Sequence, residues 1–82
     1  MKTQTDCRSV PLPALEPARC GRVAAVSGAE GFRRRLLELG FVPGTRVERL
    51  AGGLREPASY RVRGAIVALR RTDAAHVSVE LE

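Results

Sequence analysis

A helix that stops abruptly at a glycine constrains the fold of this chain more than any other feature. Its apolar residues recur at the spacing of one helix face, and they are Phe32, Leu36 and Leu39. Gly40 follows them, and a glycine can adopt the left-handed backbone conformation that closes a helix. Pro43 then prevents the helix from resuming, and Gly44 completes a Pro-Gly turn. The sequence therefore predicts a short helix, a turn and a strand within residues 32–47.

The two ends of this helix also predict specific contacts. With Gly40 just beyond the last turn, Leu36 and Phe41 occupy the two positions that commonly touch across a glycine cap. We therefore expect a positive φ at Gly40. At the other end, Ser27 and Glu30 have the spacing of a capping box. Structural roles are assigned to Gly40, Pro43 and Gly44.

Five short segments have the composition of β-strands, and the helix lies between the first two. They are residues 22–26, 45–50, 60–63, 65–70 and 77–81. The fourth segment is mostly apolar, so we expect it to cross the centre of the fold. A single helical turn, with Thr72 as its cap, is expected before the last strand. Short strands joined by tight turns favour a mainly β fold that closes into a small barrel.

The length of 82 residues indicates a single domain. Residues 1–10 are polar and are expected to form a flexible tail, so the domain spans residues 11–82. Three prolines within residues 11–17 disfavour a long helix and favour an extended segment or one short turn. Leu12 and Leu15 are placed to anchor that segment to the core.

The positive charge of the chain leaves nucleic-acid binding open as an alternative function. The formal net charge is +5, and arginines cluster at residues 33–35 and 70–71. Arg61 and Arg63 also share one face of a predicted strand. Proteins that bind single strands stack bases on aromatic side chains, and this chain has two phenylalanines, one tyrosine and no tryptophan. Nucleic acid is therefore the less favoured partner.

Few side chains in this sequence could perform catalysis or hold a metal. His76 is the single histidine, and the two cysteines are Cys7 and Cys20. Nothing places a nucleophile beside a base, so we expect no enzymatic activity. A closed zinc site takes four ligands, so these three would need a carboxylate such as Asp73 or Glu80, or a second chain. We expect that no cofactor is required. One interpretation is a weak iron or zinc site that bridges a homodimer, and the simpler one is that Cys20 is a small half-buried residue.

The sequence carries no targeting or membrane signal. The N-terminal residues are polar and lack the apolar core of a signal peptide. No stretch reaches the roughly 20 apolar residues that a membrane span needs. We therefore expect a cytoplasmic protein with reduced cysteines and no direct membrane insertion.

Two blocks of the sequence resemble the signatures of a known family. Residues 32–45 combine the helix, its Leu-Gly exit, the Pro-Gly-Thr turn and the start of a strand, and residues 63–75 look like a second signature. Both resemble the ferrous iron transport protein A (FeoA) family, and the similarity extends from about Leu12 to Glu82. The loop at residues 52–57 departs from the Pro-x-Gly-Asp-Pro-like pattern common in that family, so the contacts of that loop are not expected to carry over.

The resemblance implies a small SH3-like barrel in the cytoplasm that is not an enzyme. It also implies an accessory or regulatory role in bacterial ferrous iron uptake. In that role the protein would bind the cytosolic part of the membrane transporter FeoB, which has a GTP-binding domain. A metal-bridged dimeric regulator and a nucleic-acid-binding barrel are the alternatives.

The helix carries the residues that we expect to bind the partner. At about 100° per residue, Leu37 falls off the apolar stripe and beside Arg33, while Arg34 lies on the solvent side. An apolar residue in such a position needs a cover. Under one interpretation, Leu12 or Leu15 covers it from the proline-rich segment. Under the other, Arg33, Arg34 and Leu37 form an exposed surface for the transporter's cytosolic domain, since apolar and arginine side chains often pair at interfaces.

Overall fold

The computed structural model describes residues 9–50 and 57–82, and these form a mainly β domain. The strands are β1 (Ser9–Pro11), β2 (Cys20–Val26), β3 (Arg46–Arg49), β4 (Ala58–Val62), β5 (Ala65–Leu69) and β6 (Val77–Leu81). Helix α1 (Glu30–Leu39) lies between β2 and β3, and the one-turn helix α2 (Arg71–Ala74) precedes β6. A 3₁₀ turn (Leu12–Ala14) follows β1. The predicted fold class is confirmed, including the helix and the late helical turn.

The six strands form one antiparallel sheet in the order β1-β6-β2-β3-β4-β5. Alternate residues of the strands point into a single core, which the 3₁₀ turn and α1 also enter. Its largest fully buried side chains are Tyr60, Phe41, Leu12, Leu15 and Leu36. This core fixes which face of each strand remains available to a partner.

Strand β5 lies at the edge of the sheet, so the expectation that residues 65–70 cross its centre is wrong. Ala65, Ile66 and Ala68 are exposed, while Leu69 is buried. The apolar composition is misleading here because two of the residues are alanines, which bury little surface. The position of a strand is set by its pairing, and the described residues pair β5 with β4 alone.

Strand β1 has no clear signal in the sequence, yet it pairs with β6. Val10 lies opposite Val79 in this antiparallel ladder. The chain then passes into the 3₁₀ turn, and both Leu12 and Leu15 are fully buried. The proline-rich segment therefore packs on the core through the two leucines that the sequence singles out.

Helix α1 begins at Glu30 without the predicted capping box. Ala29 precedes it, and no side chain caps the first turn. Ser27 instead donates its backbone N–H to the carbonyl oxygen of His76 at 2.8 Å, and its hydroxyl lies 3.3 Å from the same oxygen. The contact with the chain before β6 holds Ser27 away from the helix. Thr72 also falls inside α2 rather than at its cap.

The C-terminal end of α1 has the geometry that the sequence predicts. Gly40 has φ 121°, Phe41 donates its N–H to the Leu36 carbonyl at 3.1 Å, and Gly40 donates to Leu37 at 3.0 Å. These are the two hydrogen bonds of a Schellman motif. Leu36 and Phe41 lie in the same buried core, as expected. Leu39, predicted on the buried stripe, is instead 39% exposed, because the cap folds Phe41 back beneath the last turn.

The chain then turns at Pro43 and Gly44. Thr45 donates its N–H to the Val42 carbonyl at 2.9 Å, and Gly44 has φ 93°. Proline second and a positive-φ glycine third is the pattern of a type II turn. Gly44 also donates to the carbonyl oxygen of Val23 at 2.7 Å, which docks the turn on β2.

Replacing Gly40 by valine is expected to lower the free energy of unfolding by about 1–3 kcal/mol, because a β-branched residue is strained at positive φ. A Cβ there would also lie 3.3 Å from the Val62 side chain and 3.2 Å from Arg63. Denaturant unfolding measures the change. Gly31→Ala is the control: nothing lies within 4 Å of its Cβ, so the helix should gain about 0.5–1 kcal/mol. An unchanged midpoint for Gly40→Val would remove the cap from this account.

Candidate functional site

The candidate metal ligands Cys20 and His76 lie at opposite ends of the same strand pair. Cys20 begins β2, whereas His76 immediately precedes Val77, which pairs with Val26 at the far end of β2. Six residues of strand at about 3.3 Å each separate these ends by about 20 Å. Cys7, the third candidate, lies outside the described residues. One molecule therefore cannot bring Cys20 and His76 to the same ion.

No other grouping in residues 9–50 and 57–82 provides a metal centre within the molecule. Among them, no three His, Cys, Asp or Glu side chains lie close enough together to hold an ion. The two carboxylates considered as extra ligands, Asp73 and Glu80, therefore complete no group of three ligands with Cys20 or His76.

The His76 ring packs against the helix instead. Its centroid lies 5.0 Å from that of Phe32 at an interplanar angle of 71°, an edge-to-face contact. Its Nδ1 atom lies 3.4 Å from the hydroxyl of Ser27. His76 is half-buried in this position. These contacts make it a residue that joins β6 to the start of α1.

Cys20 is half-buried beside a cavity of about 230 Å³. Leu15 and Leu81 supply its apolar wall, and Glu16, Arg19 and Glu82 its polar rim. The nearby Cys20, and then the hydrogen bond and charge of Glu82, raise the pKa of the Arg46 guanidinium. Cys20 thus lies next to a cation rather than within a cluster of ligands.

The predicted partner-binding residues lie on the outer part of α1. Arg33 and Arg34 are exposed, and Arg34 lies 3.4 Å from Glu30 in a solvent-facing ion pair. Leu37 is half-buried. The segment proposed as its cover, the 3₁₀ turn, packs against α2 and β6. The exposed part of the Leu37 side chain is available to another molecule.

A second candidate surface lies on the outer face of β3 and β4. Arg46, Arg61 and Arg63 line an open cavity of about 180 Å³ together with Glu48 and Gly64. We call this group of residues the arginine pocket. The sequence places Arg61 and Arg63 on one strand face, but only the register of the sheet adds residues from β3. Glu48 lies directly opposite Arg61, and their charged atoms are 3.7 Å apart.

Arg49 is a buried cation with a structural role. It is 7% exposed, and its guanidinium donates to the carbonyl oxygens of Leu15 at 2.9 Å and Pro13 at 3.2 Å. The available signal is strand alternation, which puts Arg49 on the same inward face as Val47. Arg49 thereby ties β3 to the chain that follows β1.

Within the described part of the chain, neither helix is long and apolar enough to cross a membrane.

Two solved structures share this fold over most of their length. One is a crystal structure of an iron uptake regulatory protein named FeoA, with 27% identity and a TM-score of 0.80. The match covers 89% of this chain and 97% of that one. The other is a FeoA from Stenotrophomonas maltophilia, solved in complex with zinc and described as a prokaryotic SH3 domain protein. It has 34% identity and a TM-score of 0.76, and the match covers 84% of this chain and 87% of that one.

Sequence comparison leads to the same group of proteins. The model of the FeoA domain matches residues 10–81. A curated relative from Porphyromonas gingivalis is 43% identical over 60 residues, which is 72% of this chain. That relative is a fusion of Fe(2+) transport protein A with the Fe(2+) transporter FeoB, and the match covers 7% of its length.

Proposed function

Since this chain belongs to the FeoA family, we propose that it is a non-enzymatic accessory module of bacterial ferrous iron uptake that binds the cytosolic part of a FeoB-type transporter. The family is linked to ferrous iron transport, and neither it nor the SH3-like fold is enzymatic in kind. The observation that carries the proposal is the Porphyromonas gingivalis relative, in which the two components form one polypeptide. Fusion holds two components at a high effective concentration, and this is useful where they bind each other. We also propose a cytoplasmic location for the module, because the proposed partner surface is the cytosolic part of the transporter.

Exposed apolar side chains support a role in binding a protein. The large ones are Leu39, Val42, Ile66 and Leu81. Leu37 adds a partly exposed side chain on α1, the helix that also carries the exposed Arg33 and Arg34. Apolar and arginine side chains together are typical of interface centres.

Nucleic-acid binding is less well supported. Phe41 and Tyr60 are buried in the core, and Phe32 is half-buried against His76. These are all the aromatic residues of the chain, so no exposed platform is available for stacking bases. The arginines alone would give weak binding that falls steeply with salt.

The test of the proposed function is a pull-down of the transporter's cytosolic domains by this protein, with nucleic acid as a competitor. We expect the transporter domains to be retained and the competitor to have no effect. Loss of retention on adding nucleic acid, with steeply salt-dependent binding of that nucleic acid, would favour the alternative.

Leu37→Asp is expected to weaken this complex about tenfold or more, because a charge replaces an apolar contact at the interface. Since Leu37 is half-buried, we expect its free energy of unfolding to fall by no more than about 1 kcal/mol. Leu50→Asp is the matched control, because Leu50 is also a half-buried leucine and lies outside α1, just after β3. A Leu37→Asp protein that is stable and still binds would exclude α1 as the contact surface.

We further propose that no cofactor is required and that a transition metal, iron or zinc, binds only weakly or between two chains. A single chain is expected to bind ferrous iron or zinc no more tightly than micromolar, because residues 9–50 and 57–82 assemble no group of three or more ligands, and a closed site needs four. Calorimetric titration of the monomer measures this. Tight stoichiometric binding that is abolished by Cys20→Ala or His76→Ala would contradict it. Binding that appears only with dimerisation would support a homodimer bridged by metal.

A further inference from the structure

The arginine pocket has more positive charge than its own carboxylates neutralise. Glu82 lies 3.2 Å from Arg46 and 3.6 Å from Arg22, the neighbouring cation on β2. Glu48 lies 3.7 Å from Arg61. Among the described residues, Arg63 has no carboxylate within ion-pair distance. Glu80, which lies opposite Arg22, is a third carboxylate on this face, so four cations face three anions. A net excess of one positive charge remains on this face of the sheet.

The stability of the sheet does not account for Arg63. Arg22 and Arg46 lie directly opposite each other in the β2–β3 register, but Glu82 bridges the two guanidinium groups and offsets their repulsion. Arg63 occupies the two-residue turn between β4 and β5 with φ 52°, followed by Gly64 with φ 81°. Such a turn favours asparagine or glycine, and a larger side chain at positive φ is strained. Arg63 is thus held in an unfavourable conformation at the mouth of the pocket.

Apolar side chains flank the pocket on two sides. Ile66, 61% exposed, lies directly opposite Arg61 and therefore on the same face of the sheet. On the other side, the Arg63 side chain lies against Gly40, and the exposed Leu39 and Val42 lie within two residues of Gly40 along the chain. An occupant that uses both the charge and these flanks must combine carboxylates with apolar groups.

We propose that the arginine pocket binds an acidic segment of a protein partner, with the carboxylates of the segment on Arg46, Arg61 and Arg63 and its apolar side chains on Ile66 and Val42. An inorganic anion would leave the apolar flanks unused, and nucleic acid would lack aromatic stacking. The proposal rests on the proposed function for the identity of the partner, and it assigns a contact surface outside α1. Binding through it weakens as ionic strength rises, because exposed charges are screened.

Arg63→Asn distinguishes an effect on binding from an effect on folding. It is expected to weaken binding of the partner without lowering the stability of the domain. Asparagine suits the turn, so the variant is at least as stable as the wild type, yet it removes the unpaired cation. Its affinity for the transporter's cytosolic domains, measured by calorimetry, falls about tenfold, and that of Arg63→Glu falls further. Arg70→Glu is the control for net charge, since Arg70 is exposed and lies beyond the opposite end of the β4–β5 hairpin.

Equal binding by the wild type, Arg63→Asn and Arg63→Glu overturns the proposal and leaves the proposed function standing. If the wild type does not bind the transporter, the proposed function fails. Binding of a synthetic peptide of alternating glutamate and leucine then tests whether the arginine pocket accepts an acidic segment. Binding of that peptide that is lost in Arg63→Glu but kept in Arg70→Glu supports an acidic-segment site. Absence of peptide binding, or displacement of the peptide by millimolar inorganic phosphate alone, overturns it.

Discussion

Arg49→Met is expected to lower the free energy of unfolding by roughly 2–4 kcal/mol, since two carbonyl oxygens lose donors that methionine cannot replace. The Arg49 guanidinium donates to Leu15 in a buried position and to Pro13 in a partly buried one. Methionine fills much of the same volume, so the loss reports the hydrogen bonds rather than a cavity. The substitution also removes the free-energy cost of burying the guanidinium charge. This gain offsets part of the lost hydrogen bonding and limits the destabilisation to the upper value of the range.

Denaturant unfolding and hydrogen exchange check this result. Arg61→Met is the matched control, because Arg61 is exposed on the outer face and its ion pair with Glu48 contributes at most about 1 kcal/mol. Arg49→Lys should recover only part of the loss, since an ammonium lacks the planar fork of the guanidinium. Faster exchange at the amide of Leu15 is expected in Arg49→Met. Equal destabilisation by Arg49→Met and Arg61→Met would contradict the role assigned to Arg49.

Gly21→Val is expected to cost about 3 kcal/mol or more, because a side chain at this position overpacks the sheet. A Cβ there would lie 2.8 Å from the backbone carbonyl oxygen of Glu80 and 3.4 Å from the Cβ of Val79. Gly21 pairs with Val47 on one side and Leu81 on the other, so a shift disturbs both ladders. Because the contact is with backbone, no side-chain rotation can relieve it.

Thermal or denaturant unfolding of Gly21→Val measures this cost. Ala25→Val, at an exposed position of the same strand, is the control and should change stability by less than about 0.5 kcal/mol. A Gly21→Val protein as stable as the wild type would mean that β2 and β6 can separate locally without loss.

The features that are predictable from the sequence are those that act over a few residues. The end of α1 is one, because Gly40 and the following Pro43–Gly44 turn determine their own backbone conformations. The burial of Leu12 is another, since the prolines exclude a long helix there and leave Leu12 as an apolar anchor of a short turn. Five of the six strands also follow from local composition and alternation.

The features that the sequence does not reveal depend on pairing between distant segments. β1 is too short to show a period, and it exists through its ladder with β6. β5 is apolar in composition yet lies at the sheet edge, because strand order is not a local property. The spacing of a capping box at Ser27 is overridden by a hydrogen bond to His76, which is 49 residues away in the chain.

The same distinction applies to the candidate site. Alternation identifies Arg61 and Arg63 as neighbours, but Arg46 joins them only through the register of β3 with β4. The small number of cysteines and histidines already argues against a closed metal site in a single chain. Only the pairing of β2 with β6 shows that Cys20 and His76 lie far apart. The partial burial of Leu37 also depends on packing that helical periodicity alone does not give.

The ladder between β1 and β6 has a consequence for how such a domain can be joined to other proteins. Ser9 lies opposite Glu80, and the Cα atoms of residues paired in this way are about 5 Å apart. A host polypeptide joined to the domain at these two residues would therefore need a gap of only about 5 Å between its two attachment points. Insertion into a surface loop of a larger protein, or circular permutation through a short linker, would then require no connection across the diameter of the domain.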